Sequence, residues 1–200
     1  MRSVVGATLA SIIFVSSASA QASGLASFNA PYRSFDRHEA GLAVTFPGLD
    51  DFAIEGLYRF AKDDLDIGFR GGVLFFETGG GNEQTIVLGV EARQRVITHS
   101  DDFPADGALL IGAGAWIGPV DNFIPSVGVS FGRRLDMEDS DVSIIPFIQP
   151  HMWWLIGDTD ELLFSLGLGA DFRLSPRFDL RVSVGLGDID GLSVGAVWIR

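Results

Sequence analysis

The chain has 200 residues, 47% of them hydrophobic, with no cysteine and a formal net charge of −12. That length fits one domain, and the missing cysteine excludes disulfide frameworks, thiol catalysis and cysteine zinc sites. So acidic a chain makes nucleic acid a poor partner, because binding a phosphate backbone needs a basic face.

In chain order, the first element is a leader. Arg2 gives a short positive start, Val4 to Val15 is mostly apolar, and Ser16-Ser17-Ala18-Ser19-Ala20 ends in an Ala-x-Ala pattern. Residues 1–20 therefore read as a secretory signal peptide cleaved before Gln21. The apolar run is shorter than the roughly 20 residues a spanning helix needs. Arg2 is the one charged side chain lost with the leader, so −12 becomes −13. Residues 21–35 are small and polar and read as a flexible lead-in.

From residue 36 to Arg200 a single texture persists: runs of about ten residues that alternate in polarity, separated by Asp-, Gly- or Pro-rich turns. The runs fall near 36–46, 51–60, 64–77, 84–97, 106–118, 124–136, 142–155, 161–174, 177–187 and 190–199, which predicts about ten strands, with eight or twelve as alternatives. The clearest run places Leu162, Phe164, Leu166, Leu168, Ala170, Phe172 and Leu174 on one face, opposite Leu163, Ser165, Gly167, Gly169, Asp171 and Arg173. Alternate side chains of a strand point to opposite faces, so one face is unbroken apolar surface. Turns as short as Lys62-Asp63, Gly79-Gly80-Gly81-Asn82 and Ser175-Pro176 join antiparallel neighbours. The expected fold is all-β: one closed antiparallel up-and-down transmembrane barrel.

Three features turn the apolar face outward. The polar face is rich in glycine, including Gly72, Gly89, Gly114, Gly128, Gly167, Gly185 and Gly195, and glycine makes room in a narrow lumen. The charges on that face come in both signs. Glu55, Glu91, Asp171 and Asp179 can meet Arg59, Arg70, Arg93, Arg95, Arg134, Arg173 and Arg181, and Arg–carboxylate pairs suit a confined interior. All but one of the 14 basic residues are arginine, Lys62 being the exception; arginine is favoured where a cation is held in a planar pair away from bulk water. Finally, Phe46, Phe52, Phe60, Phe172, Phe178 and Trp198 sit near strand ends on the apolar face, as in interfacial aromatic girdles.

On this pattern, over residues 36–200, the chain resembles small bacterial outer-membrane β-barrels as a broad class. The resemblance implies an outer-membrane location and, as partners, the lipid bilayer, lipopolysaccharide and the outer-membrane assembly machinery. Such proteins commonly end in an aromatic residue, and Leu192-x-Val194-x-Ala196-x-Trp198 is similar, although Ile199 and Arg200 follow. With the chain entering from the periplasm, the five odd-numbered turns would face outward. All five are short, whereas exposed loops of such barrels are usually the longer ones.

Candidates for chemistry are few. His99-Ser100-Asp101-Asp102 has the residue types of a hydrolase triad, but adjacent turn residues rarely reach triad geometry. Pro146 and Pro150 in one strand predict a bulge or kink; beside them, Gln149, His151 and Trp153 would point into the lumen as possible ligand contacts. Asp139, Asp141, Asp158, Asp160, Asp188 and Asp190 cluster in turns without calcium-loop spacing. Neither a metal site nor a cofactor is expected. The leading functional reading is a non-enzymatic envelope structural or surface-binding barrel with a lumen largely filled by side chains. The alternatives are a narrow pore favouring anions (seven lumen arginines against four carboxylates), a lipid-modifying outer-membrane enzyme, and a soluble periplasmic lipocalin-like carrier with its faces reversed.

Overall fold

The computed structural model describes residues 23–31, 37–48, 51–78, 81–137 and 142–200. The leader over 1–20 and its cleavage point lie outside these residues, as do Asp139 and Asp141. Ten long strands form a closed antiparallel barrel: β1 (Glu39–Phe46), β2 (Phe52–Lys62), β3 (Leu65–Thr78), β4 (Gly81–Ile97), β5 (Asp106–Ile117), β6 (Asn122–Gly132), β8 (Ser143–Gly157), β9 (Glu161–Ser175), β10 (Phe178–Gly187) and β11 (Gly191–Ile199). The two-residue β7 (Leu135–Asp136) pairs with β8 just beyond β6. Sequential strands pair as hairpins, β1 pairs with β11, and β6 pairs with β8, so the sheet closes on itself. Closure removes the edges that an open sheet would expose.

The predicted strands match the observed ones to within a few residues, because a period of two runs through most of them and short turn signals bound them. The turn after β2 is Asp63-Asp64, one residue later than expected. Asp63 adopts φ 55° there, a left-handed conformation that Asp tolerates better than most residues. The expected proline bulge in β8 is absent: β8 pairs with β9 in one continuous register from Ser143↔Arg173 to Leu155↔Glu161. The disturbance falls instead on the other side of the strand. Pairing of β6 with β8 lapses between Phe123↔Ile156 and Ser126↔Trp153, beside Pro125, and again between Gly128↔His151 and Phe131↔Ile148, beside Pro150. A proline removes a ladder donor without shifting the register of the strand on its other side.

Two mouths result. The turns after β1, β3, β5, β8 and β10 ring the first mouth; those after β2, β4, β6 and β9, with the C-terminus, ring the second. The outward faces are apolar; the inward faces are mostly polar, except that β6 and β8 also turn Ile124, Ile145, Phe147, Trp153 and Leu155 inward. Leu42, Ile54, Ile86, Ile111, Leu162 and Phe164 are exposed, Leu162 by 64%, while Glu55, Asp66, Arg93, Gln149, Asp171 and Asp179 are buried.

The largest departure from the sequence reading is the lead-in. Residues 23–31, expected as a loose tether, lie inside the barrel. Leu25, Ala26, Phe28 and Ala30 have no exposed surface, and Ser23, Ser27 and Asn29 are buried. The segment starts at the first mouth, where Trp116 Nε1 donates to the Ser23 carbonyl at 2.8 Å. It ends toward the second mouth, where Pro31 packs against Gly132. The chain thus threads the lumen before β1 begins at that same second mouth. Entry at the start of β1, which the sequence led one to expect, would be at the second mouth. Ser23 lies at the opposite mouth.

Candidate functional site: the occupied lumen

The threaded segment reads as an extended chain with two faces. Ala26, Phe28 and Ala30 join Ile124, Ile145, Phe147, Trp153, Leu155 and Ile189 in one apolar cluster. Leu25 sits in a second, nearer the first mouth, with Ala53, Leu74 and Val87. Between these apolar residues, Ser27 and Asn29 turn to the charged arc of the wall. Ser27 Oγ donates to Glu55 Oε2 at 3.0 Å and accepts from Arg70 Nη1. Asn29 Oδ1 accepts from Arg181 Nη1. The segment's backbone is held by wall side chains. Ser183 Oγ accepts from Phe28 N at 3.1 Å and donates to the Ala26 carbonyl at 3.1 Å; Ser130 Oγ donates to the Asn29 carbonyl and Arg93 Nη1 to the Ala30 carbonyl.

The wall is shaped to its occupant. A Cβ at Gly167 would collide with the Phe28 ring, one at Gly132 would lie 2.9 Å from Pro31 Cδ, and one at Gly185 would lie 3.2 Å from Ala26 Cβ. Gly24, at φ 79°, lets the chain pass Trp116 where a Cβ would fall 2.5 Å from the indole nitrogen. The lumen glycines visible in the sequence therefore do more than narrow side-chain bulk: several mark where another piece of backbone passes.

The buried ion pairs form three groups. Arg59 bridges Asp66 and Glu91, the latter at 3.1 Å, and Arg93 Nε joins Glu91 at 2.9 Å. Arg181 grips Asp171 with two nitrogens at 2.8 Å each and reaches Glu39 at 3.5 Å. Arg70 lies 3.5 Å from Glu55. Of the eleven residues expected in a lumen network, Glu55, Arg59, Arg70, Glu91, Arg93, Asp171, Asp179 and Arg181 are buried inside. Arg95 and Arg134 are not part of that interior. They sit at the rim of the second mouth and pair with the exposed Asp64 and Asp136. Arg173 is half-buried opposite Asp179, and its Nε has no hydrogen-bond partner.

Three inward carboxylates escaped the sequence reading: Glu39, Asp66 and Asp106. Glu39 shares its phase with Ala43 and Thr45, and Asp66 with Gly68 and Arg70, so alternation alone could have placed them. They change the charge balance. Among the described residues, seven buried carboxylates (Glu39, Glu55, Asp66, Glu91, Asp106, Asp171, Asp179) face four buried arginines (Arg59, Arg70, Arg93, Arg181). This reverses the arginine excess, seven to four, expected from the sequence.

Gln149, His151 and Trp153 all lie buried on the inner face of β8. The His151 ring stacks on Trp153 with centroids 4.2 Å apart, and Gln149 Nε2 lies 3.2 Å from His151 Nδ1. His151 Nε2 and the hydroxyl of Ser126 on neighbouring β6 both lack a partner, so they do not form a nucleophile–base pair; such a pair needs contact near 3 Å. His99 and Ser100 belong to an exposed turn. The His99 amide donates to Asp106 Oδ1, and the Ser100 hydroxyl accepts from the Phe103 amide. Turn aspartates likewise cap backbone: Asp158 Oδ2 accepts from the Asp121 amide, and Asp188 Oδ2 from the Phe164 amide. Among the described residues no group of three or more His, Asp or Glu is placed to hold a metal ion.

Comparison with known proteins finds no family model that matches the chain and no curated relative. The functional reading therefore rests on the geometry alone.

Two predictions follow from the lumen. Arg181→Ala leaves Asp171 and Glu39 buried without their cation, so denaturant unfolding should show a loss of about 3–5 kcal/mol. Arg134→Ala, at an exposed pair, should change the midpoint little; equal effects would mean that both sites are solvated. Separately, Gly167→Val should cost about 1–3 kcal/mol by overpacking, and Phe28→Ala alone about 3–5 kcal/mol. Combined, the two losses should fall well short of their sum, because removing the ring makes room for the valine. Simple additivity would place Phe28 away from Gly167.

Proposed function

We propose that this protein is an outer-membrane β-barrel with a filled lumen and a non-enzymatic role in the envelope. The observation that carries this reading is the inversion of its faces. Large apolar side chains such as Leu42, Ile54, Phe69, Ile111 and Phe164 cover the outside, while ion pairs line the inside. A soluble monomer rarely leaves so continuous an apolar surface in water, whereas a barrel in lipid needs one. A soluble carrier would instead bury its apolar face around a ligand, and here the interior is taken by residues 23–31.

Strand length and aromatic placement support the same reading. A tilted strand crosses a bilayer in about 9–11 residues, and eight of the ten long strands have 10 or more. Exposed aromatics gather near both mouths: Phe46, Phe52, Phe123 and Trp154 toward the first, Phe60, Phe103 and Trp198 toward the second. Trp154 donates to Asp160 at 3.1 Å, an apolar ring with a polar tip, as suits a membrane–water boundary. An enzymatic role finds no support in the arrangement around His99 or His151.

The mature protein should pellet with outer membranes and resist carbonate extraction; recovery in the soluble periplasmic fraction would defeat the proposal. Leu168→Arg should cost about 2–4 kcal/mol if that side chain lies near the bilayer midplane, and a fluorophore at Leu168 should be quenched from lipid and not from water.

Threading makes a second prediction that holds for either orientation. A tag placed at Gln21 and a cysteine at Asp158 should be reached from the same side of the membrane, and a cysteine at Asp101 from the other. Labelling of the tag together with Asp101 would mean that the chain does not pass through the barrel.

A further inference from the structure

We propose that residues 23–31 are a separable plug, and that the bore they occupy is a cation-conducting pathway. The proposal rests on the membrane reading above. Three observations carry it. First, the segment belongs to no strand: the wall closes through β1–β11 and β6–β8 pairing without it. Second, it runs from one mouth to the other, from Trp116 to Gly132, and is buried throughout. An extended chain occupies a cross-section of about 5 by 10 Å, judged from the spacing of strands and of sheets. Its departure would leave a continuous gap wider than a water molecule. Third, the buried charges of the wall are net negative, seven carboxylates to four arginines among the described residues, and the half-buried inward Arg173 does not reverse that excess.

The first mouth adds to the bias. Asp121, Asp158, Asp160, Asp188 and Asp190 stand in its turns, and no Lys or Arg occurs among its described turn residues. The basic rim residues Lys62, Arg95, Arg134 and Arg177 all lie at the second mouth. An acidic mouth and lumen raise the local concentration of cations and repel anions. The segment itself is uncharged over residues 23–31, so its removal does not alter the sign of the field. Its grip is of the kind that can be undone. Ser27 and Asn29 are held by side chains that already have ionic partners in the wall, Arg70 with Glu55 and Arg181 with Asp171. Those pairs remain satisfied when the segment leaves.

The test is planar-bilayer conductance of three proteins in a potassium chloride gradient: the full mature chain, a variant lacking residues 23–31, and a full-length Leu25→Asp/Phe28→Asp variant. The last sets carboxylates against the apolar clusters and keeps the test alive should the deletion fail to assemble. The full chain should be nearly silent. The variants should show steps of current whose reversal potential marks preference for potassium, and a peptide with the sequence of residues 23–31 should reduce that current. Inserted variants that stay silent would overturn the bore, chloride preference would overturn the charge argument, and equal currents from all three would show that the segment is no plug. Carbonate extraction of the same samples separates these outcomes from a failure of the membrane reading: protein that washes off never crossed the bilayer, and the proposal falls with that reading.

Discussion

The constraint on which the rest depends is the width of the bore. Strand number sets barrel diameter, and about eight strands enclose an interior that inward side chains can just fill. Ten enclose more. A ten-strand barrel must therefore add side-chain bulk, admit water, or bring in another piece of chain. This protein takes the third course, and the glycines follow from it: Gly167 clears Phe28 and Gly132 clears Pro31. Where the segment has no bulk, wall side chains supply it, as Trp153 and Phe147 do in the apolar cluster that holds Ala26 and Ala30.

Within that bore, the wall has two characters, and each needs the other. The arc carrying β6 and β8 is apolar inward at Ile124, Ile145, Phe147, Trp153 and Leu155, while Glu55, Arg59, Glu91, Arg93, Asp171 and Arg181 cluster on β2, β4, β9 and β10. Buried charges on the second arc are costly unless paired and hydrogen-bonded. Arginine suits the task because its fork can hold two acceptors in a plane, as Arg181 holds both oxygens of Asp171. The segment fits between the arcs because its own alternation has the same two characters at the same spacing.

Strands and faces were legible from the sequence because their signal is repeated ten times. A period of two over ten or more residues leaves little freedom about which side chains share a face. The threaded segment was not legible for the opposite reason. It has the same period, with Ala26, Phe28 and Ala30 against Ser27 and Asn29, but over only five residues and with one large side chain among them. It pairs with no hairpin partner, and its smallness, which looked like a mark of looseness, is what lets it fit a narrow bore. Arg95 and Arg134 were misplaced because alternation reports a face and not a depth. Both have their charge at the rim, where the strand ends and Asp64 or Asp136 stands nearby. The prolines disturb pairing without producing a bulge, because a strand has two neighbours. A missing N–H affects one ladder, and β8 kept its register with β9 while losing pairs to β6.

Arg181 shows how closure and filling are joined. Its guanidinium binds Asp171 on the adjoining β9, reaches Glu39 on β1 across the closing β1–β11 pair, and donates to Asn29 in the segment. These partners come from three stretches of chain that meet only when the barrel is shut. Ser183, two residues further along β10 and on the same face, holds Phe28 and Ala26, 155 and 157 residues away in sequence. The segment precedes every strand, yet its binding surface is complete only once β10 stands beside β11 and β11 beside β1. A guanidinium shared in this way makes the occupant depend on closure of the wall. Asn29 supplies an acceptor to a cation that the closed wall already needs, so the occupied state is favoured by closure, while the wall's own pairs with Asp171 and Glu39 do not require Asn29. That asymmetry is what allows a lumen to be filled by its own chain without the barrel depending on the filling for its shape.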